Sequence, residues 1–321
     1  MMIKKIGVLT SGGDGPGMNA AIRSVVRCGI FHGLEVAGVI RGYQGLVDGE
    51  VIGLGHRSVS NIINRGGTIL KTARSEDFKT EKGQNKAIET LKKHAIDALI
   101  VIGGDGTYRG AQVLYEKYQV PVIGLPGTID NDLFGTDQTI GCKTAVHTAL
   151  EAIDKVRDTA HSMERIFVIE VMGNKSGYIA LEVALGAGAE DVLIPDRKFD
   201  YKSLCENIVE GNGKGKISWM IITAEGAAKA PEVAAQIHEL TGLETRFVVL
   251  GHVQRGGVPL GADRILATRL GARAVDLLLQ GVTGKAVGVL EDEINVVDLA
   301  MAYKRENKHV DEYLRLMKLL R

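Results

Sequence analysis

The chain has little of what would staple, stiffen or charge it. Its three cysteines, Cys28, Cys142 and Cys205, are scattered and odd in number. They form neither a disulfide framework nor a metal-binding spacing, and a reducing cytoplasm suits them. Six prolines stand against 41 glycines, so the glycine richness is not low complexity and points to many tight strand-to-helix loops. Aromatic residues make up only 5% of a sequence that is 45% apolar, which suits close α/β packing of small side chains. Neither sign of charge is in excess, with 39 basic and 39 acidic residues, and the basic footprint of a nucleic-acid binder is missing. No run approaches the ~18 apolar residues of a membrane helix. The short stretch Ile6–Leu9 behind Lys4 and Lys5 is too brief for a signal peptide. A cytoplasmic protein without membrane or nucleic-acid partners is expected. A length of 321 residues exceeds what one core usually serves, so two domains are expected.

What is present is a repeated pattern of apolar strand, glycine loop and amphipathic helix. Ile6–Leu9 runs into Thr10-Ser11-Gly12-Gly13-Asp14-Gly15-Pro16-Gly17, and a helix follows from about Met18, with Ile22, Val25, Val26, Gly29 and Ile30 on one stripe. A glycine loop that opens a helix offers backbone N–H groups to a phosphate. This one lacks the Gly-Lys-Ser/Thr ending of a Walker loop and fits the dinucleotide fingerprint poorly. Val36–Ile40 reads as a strand, Arg41–Leu46 as a turn away from it, 60–64 as a short helix and 82–94 as a lysine-rich surface helix. Between them, Arg65-Gly66-Gly67-Thr68 and Lys71-Thr72-Ala73-Arg74 carry arginines suited to phosphate oxygens. Asp97–Ile102, apolar almost throughout, is a strand buried on both faces and ends in Gly103-Gly104-Asp105-Gly106-Thr107. Asp105 could hold Mg²⁺ there, or could only cap the following helix.

The third such loop is Pro126-Gly127-Thr128-Ile129-Asp130-Asn131-Asp132, after the apolar run 120–125. Two carboxylates at a strand's carboxyl end suit a metal ion plus a general base, or a solvated Asp-Asn-Asp turn. A helix is expected over 144–158, and the strand–helix pattern then restarts. Strands are expected at 166–173, 191–195, 218–226 and 245–252, with helices at 180–185 and 231–241, which makes a second α/β domain. Gly251-His252-Val253-Gln254-Arg255-Gly256-Gly257 closes it in a basic loop. A helix over 262–280, a final strand at 286–289 and a helical tail complete the chain.

The ordered set TSGGDGPGMNAAIR, GGDGT, PGTIDND, VMG and GHVQRGG resembles the bacterial-type ATP-dependent 6-phosphofructokinases from Ile6 to about Leu279. The resemblance implies an α/β fold: two Rossmann-like three-layer αβα domains with mostly parallel sheets and the active site in the cleft between them. It assigns residues 1–141 plus 254–304 to an ATP-binding domain, and 142–253 plus 305–321 to a fructose 6-phosphate-binding domain. By resemblance Asp130 is the base for the sugar 1-hydroxyl, Thr128 contacts the transferring phosphoryl group or the sugar, Asp132 supports the metal and its waters, and Asp105 binds Mg²⁺. Gly12, Arg74, Ser75, Gly104, Gly106 and Thr107 belong to the ATP side, with Arg74 also offsetting phosphate charge. Ile129, Met172, Gly173 and Asn174 belong to the sugar-phosphate side. So do Glu225, His252, Val253, Gln254 and Arg255. Arg165 and Arg246 resemble arginines that reach a neighbouring subunit's substrate, which implies a homotetramer of D₂ symmetry.

Pyrophosphate-dependent relatives tend to carry Asp and Lys where this chain has Gly106 and Gly127. An Asp at 106 would crowd and repel the nucleotide, and a lysine at 127 could bind pyrophosphate, so ATP is the favoured donor. The arginine usual in the loop after VMG is Asn174 here, a loss of phosphate-facing charge. An effector site for ADP or phosphoenolpyruvate is implied at Arg23, Arg27 and Arg57 of one chain with Arg157, Glu190, Lys214 and Lys216 of another. The competing readings are a pyrophosphate-dependent enzyme, an NAD or lipid kinase sharing GGDGT, and a non-catalytic sugar-phosphate or nucleotide sensor.

Overall fold

The computed structural model describes residues 3–306 and 308–320. The chain divides into two compact units: residues 1–129, 133–144 and 255–306 form the first, and 130–132, 145–254 and 307–321 the second.

In the first unit the elements in chain order are β1 (Lys5–Thr10), α1 (Met18–Phe31), β2 (Glu35–Val39), α2 (Gly42–Asp48), β3 (Val51–Leu54), α3 (Glu81–Lys93), β4 (Ala98–Gly103), α4 (Asp105–Tyr118) and β5 (Val122–Pro126). The sheet is completed late in the chain by β10 (Lys285–Leu290) and β11 (Glu293–Asp298), giving the order β11-β10-β5-β4-β1-β2-β3. All neighbours run parallel except β2–β3 and β10–β11. Side chains alternate across the sheet. Ile6, Val8, Ile100 and Ile102 point into one core with Ile22, Val25 and Leu270, while Leu9, Leu99 and Val101 join a second with Leu46, Leu91 and Leu114. Helices therefore cover both faces, the arrangement that near-continuous apolar strands require. β1 has β4 on one side and β2 on the other, so the chain reverses direction there, where α/β sheets open a ligand crevice.

The second unit contains β6 (Ile166–Val171), α6 (Tyr178–Ala187), β7 (Asp191–Leu193), α7 (Tyr201–Gly213), β8 (Trp219–Ala224), α8 (Ala230–Thr241) and β9 (Thr245–Val249). Its four strands are all parallel in the order β7-β8-β6-β9. Val168 and Ile221 pack there against Leu204, Ile208, Val233 and Ile237 of α7 and α8. Three further helices are α5 (Cys142–Ser162), which runs from the first unit into the second, α9 (Gly261–Leu279) in the first and α11 (Val310–Leu320) in the second, with a short turn, α10 (Leu299–Ala302), between the last two.

Four sequence expectations are corrected. Residues 42–48 are helical, not a turn; Gly45 is required there because a Cβ would lie 1.6 Å from the Ile40 carbonyl oxygen. Residues 60–64 form turns, not a helix; Asn61 takes φ +55°, and five residues cannot offset helix nucleation. The strand at 285–290 is not the last. Glu291 and Asp292, at φ +50° and +64°, make a two-residue hairpin of the type usually marked by Asn-Gly, and β11 returns beside β10. Helix α7 was not foreseen, although Asp200 caps it by accepting hydrogen bonds from the Lys202 and Ser203 amides.

Asp263 locks α9 to the start of α5. It is 1% exposed; one oxygen accepts from Gly141 N (2.9 Å), the other from Thr144 N (2.8 Å) and Thr144 Oγ1 (2.5 Å). Burial pushes its carboxyl pKa up, against the pull of these hydrogen bonds and of Lys143. Asp263→Ala would strand three buried donors and is expected to cost about 3 kcal/mol of stability. A lowered urea midpoint of the purified protein would register it, and an unchanged midpoint would show that the clamp carries nothing.

Candidate active site

In the first unit the loops after β1, β4 and β5 leave the sheet at one level. Thr10 is in register with Ile102, and Gly103 with Pro126. Side chains and glycines then tie these loops together. Thr107 Oγ1 donates to the Ser11 carbonyl (3.0 Å), and Gly127 N donates to the Gly103 carbonyl (3.1 Å). Gly103 must be glycine, because a Cβ would stand 2.2 Å from Thr107 Oγ1 and 2.5 Å from Ser11 O. The segment 65–75 joins from the side. Asn19, buried on α1, holds it through the Arg65 and Gly66 carbonyls (3.0 and 3.2 Å) and the Ile69 amide (2.8 Å). Thr72 Oγ1 donates to the Gly12 carbonyl at 2.6 Å.

Gly12, Gly104, Asp105, Gly106, Thr107 and Thr128, all singled out from sequence, thus gather around one strand-end cluster. Gly12 takes φ +85°, left-handed backbone that glycine reaches without strain. A Cβ on Gly104 would meet Thr128 Cβ at 3.5 Å, and one on Gly106 would meet nothing within 4 Å. Asp105 is the first residue of α4, with one oxygen accepting from Gly106 N (2.6 Å) and the other 3.8 Å from Arg109 Nε. Its side chain remains 60% exposed. Gly104, not Asp105, occupies the cap position, so the capping alternative does not describe this residue. Arg74 is exposed in irregular backbone. Ser75 is engaged locally, donating to Gln44 Oε1 (2.8 Å) and accepting from Phe78 N (3.1 Å). Arg255 lies against the first glycine loop: a Cβ on Gly13 would be 1.8 Å from Arg255 Nη1, and the guanidinium is 4.0 Å from Asp14. Past β5, Ile129 is buried, Asp130 and Asp132 are half-buried, and Asn131 between them is 1% exposed at φ +47°.

The second unit carries its own cluster at the carboxyl ends of β6 and β8. Glu225 N donates to the Val171 carbonyl (2.9 Å), and Asn174 N donates to Glu225 Oε1 (2.9 Å). Gly226 allows the two loops to approach, since a Cβ there would lie 1.9 Å from the Asn174 carbonyl oxygen. Asn174 sits at φ +52°, a conformation that Asn tolerates and a long side chain such as Arg takes at a cost. That is a backbone reason for Asn174 independent of charge. Met172 and Gly173 are buried, and Met172 N donates to the Oε1 of the fully buried Gln254 (2.9 Å). His252 and Val253 are exposed on the 3-10 turn Gly251–Arg255.

Two further groupings were not visible in the sequence. Arg165 Nε and Arg246 Nη2 share the Glu244 carboxylate at 3.0 and 2.5 Å. Desolvation opposes the shift, yet the two guanidiniums hold the Glu244 carboxyl below its usual range. Buried Glu170 accepts from Lys229 Nζ (3.2 Å) and Ala230 N (2.8 Å), fixing the start of α8. The one available signal for Glu170 was a carboxylate inside an apolar strand. Of the expected effector residues, Arg23 and Arg27 lie one turn apart on α1, and Arg57 is exposed in the turn after β3. Arg157 donates to the Ala187 carbonyl, Lys216 pairs with Glu190 (2.9 Å) over the Trp219 ring, and Lys214 pairs with Glu210 (2.6 Å).

A two-unit α/β chain with glycine loops and carboxylates at the central strand ends defines a phosphoryl-transfer class of protein. The phosphofructokinase family model matches residues 5–278, and the chain belongs to that family. Its members phosphorylate fructose 6-phosphate, which makes it a kinase by class. An ATP-dependent 6-phosphofructokinase of Thermoanaerobacter sp. (strain X514) is 50% identical over 321 residues, covering 99% of this chain and all of that protein. An ATP-dependent 6-phosphofructokinase 1 of Thermus thermophilus is 52% identical over 320 residues, 99% of each. A solved phosphofructokinase of Saccharomyces cerevisiae superposes with a TM-score of 0.85 at 36% identity over 98% of this chain, which spans 46% of that longer chain. Among the described residues no helix is long and apolar enough to cross a membrane.

Proposed function

We propose that the chain transfers the γ-phosphoryl group of ATP to the 1-hydroxyl of fructose 6-phosphate. The supporting observation is the tied cluster of the β1, β4 and β5 loops, which offers glycine backbone, Asp105 and Thr128 on the side that would take the nucleotide. Phosphoryl transfer depends mostly on positioning and charge stabilisation. The backbone amides at the start of α4 and the exposed Arg74 would neutralise phosphate charge. Asp130 would accept the hydroxyl proton as the oxygen attacks, and half-burial beside the ordered Asn131 would keep its carboxylate oriented. Glu225, His252 and Arg255 would hold the sugar phosphate, with the Asn174–Glu225 bond shaping the loop.

Asp105 fits a Mg²⁺ ligand, because Mg²⁺ takes one or two carboxylates with substrate phosphates and waters, and this carboxylate is mostly exposed beside unfilled space at Gly106. When bound, the ion would offset charge on the donor's phosphates. Asp132 is assigned to its support. The first unit is read as the ATP-binding part, the second as the sugar-phosphate part, and the setting as cytoplasmic. Assembly as a homotetramer is supported by the sheet-edge strand β9, which leaves Phe247 50% and Val249 49% exposed. Arg165 and Arg246, gathered on Glu244 in the single chain, would exchange that partner for a neighbour's substrate.

The effector site is read as anionic: Arg23, Arg27 and Arg57 of one copy with Arg157, Glu190, Lys214 and Lys216 of a second. Arg27 Nε is buried without a hydrogen-bond partner among the described residues, which favours an incoming oxygen ligand. One coupled assay tests both readings. With fructose 6-phosphate as acceptor, ATP is expected to support turnover and pyrophosphate not to, and ADP or phosphoenolpyruvate is expected to move the fructose 6-phosphate midpoint several-fold. Turnover with pyrophosphate alone would overturn the donor assignment. A midpoint indifferent to both ligands would overturn the effector assignment.

A further inference from the structure

Helices α1 and α9 meet along a ladder that repeats every turn. Ser24 Oγ donates to the Thr268 carbonyl at 2.7 Å, and one turn on Cys28 Sγ donates to the Ala272 carbonyl at 3.9 Å. At the next rung His32 Nε2 stands 3.8 Å from Asp276 Oδ1. All three rungs keep the same offset in sequence, so the helices run parallel in fixed register. Gly271 permits the close approach, since a Cβ there would lie 2.7 Å from Ser24 Cβ. The last rungs bring together one sulfur, one imidazole nitrogen and one carboxylate oxygen, all within 4.8 Å of one another.

We infer that Cys28, His32 and Asp276 form a binding site for a zinc-class divalent ion, separate from the phosphoryl-transfer machinery. Cys28 lies in the last turn of α1, and His32, the residue that caps that helix, follows it by one turn with its N–H on the Cys28 carbonyl (3.2 Å); Asp276 completes the set from the facing helix. Zinc bonds of roughly 2.0–2.3 Å put tetrahedral ligand atoms roughly 3.3–3.6 Å apart. The observed separations therefore need only side-chain rotations to close. Cys28 and Asp276 are half-buried and His32 is exposed, which leaves a fourth position to water, as in three-ligand zinc sites. Thiolate with imidazole selects zinc or cobalt over the hard, oxygen-seeking Mg²⁺. Binding takes Cys28 as thiolate and releases its proton to solvent. The alternative of a reactive redox thiol is disfavoured, because burial and then the Asp276 charge push the Cys28 thiol pKa up. Cys142 and Cys205, also unbridged, are buried and belong to no such cluster among the described residues.

Co²⁺ titration of the chelator-treated full chain tests the site, since only a sulfur ligand gives a near-ultraviolet thiolate-to-cobalt charge-transfer band. The oxygen ligands proposed for Mg²⁺ cannot produce it. One equivalent is expected to develop the band and Zn²⁺ to bleach it. Cys28→Ser should abolish the band, and His32→Ala and Asp276→Asn should each weaken Co²⁺ binding at least about tenfold, the lower end of what disturbing a metal site's shell costs. No band in the wild-type protein, or a band that survives Cys28→Ser, overturns the site. Unchanged Co²⁺ affinity in both His32→Ala and Asp276→Asn overturns the ligand set. Should Cys28→Ser fold poorly, the exposed His32→Ala variant decides alone.

Discussion

Asp130→Ala is expected to lower kcat about a thousandfold while fructose 6-phosphate still binds within a few-fold of its wild-type affinity. A positioned general base contributes roughly 10²- to 10⁴-fold, and the proton lost from the attacking hydroxyl has no other assigned acceptor. The segment's geometry supports a clean result. Ile129 and Asn131 on either side are buried and anchor the backbone, while Asp130 is half-buried, so truncation removes a carboxylate and not a packing element. Asp130→Asn keeps the shape and loses the base. If it falls as far as Asp130→Ala, the effect belongs to proton acceptance and not to shape. Turnover and equilibrium binding of fructose 6-phosphate, measured on the same preparations, separate the two contributions. Wild-type turnover in Asp130→Ala would remove Asp130 from the role of base and shift attention to Asp132.

The parts of the molecule legible in the sequence are those where local chemistry and tertiary demand coincide. Ala98–Gly103 reads as a strand because every residue is apolar or small, and it is buried throughout. The glycine loops at 12–17 and 103–106 stand out by composition, and part of that has a local cause: Gly103 has no room for a Cβ, with Thr107 Oγ1 at 2.2 Å, and Gly12 and Gly17 take left-handed backbone. What stayed hidden depends on residues brought together by register. Nothing near Cys28 in the chain announces Asp276, which reaches it only because α9 lies parallel to α1. Likewise Glu244 gathers Arg165 and Arg246 only because β9 pairs with β6. The hairpin at Glu291-Asp292 was missed for a different reason: two acidic residues adopt positive φ where glycine or asparagine is the usual signal. Asn174 departs from the family pattern by a lost charge, and its left-handed backbone gives the residue a conformational role as well.

The donor assignment reduces to one position that can be changed without disturbing the fold. Gly127 cannot serve, because a Cβ there would meet Ile102 Cγ2 at 2.7 Å and Gly103 N at 3.1 Å. In this chain, with Ile102 as its neighbour, a side chain at 127 would disturb packing before it could report on the donor. Gly106 is different: a Cβ meets nothing within 4 Å, and the residue sits in the first turn of α4, where an acidic side chain is favoured by the helix dipole. Gly106→Asp should thus fold with wild-type or slightly higher stability. A carboxylate about 4 Å from a phosphate oxygen costs about 4 kcal/mol at an effective dielectric constant of 20, and solvent and Arg109 would reduce this. Half of that penalty is still about thirtyfold and all of it close to a thousandfold, so kcat/KM for ATP is expected to fall about 100-fold. Pyrophosphate should not be gained as a donor, because removing room for a nucleotide adds no cation to hold a smaller one. Steady-state kinetics with ATP and with pyrophosphate, alongside a melting curve, measure each part. An unaltered kcat/KM for ATP in a correctly folded Gly106→Asp enzyme would mean that the nucleotide does not pass beside Gly106, and the donor argument built on that residue would fall.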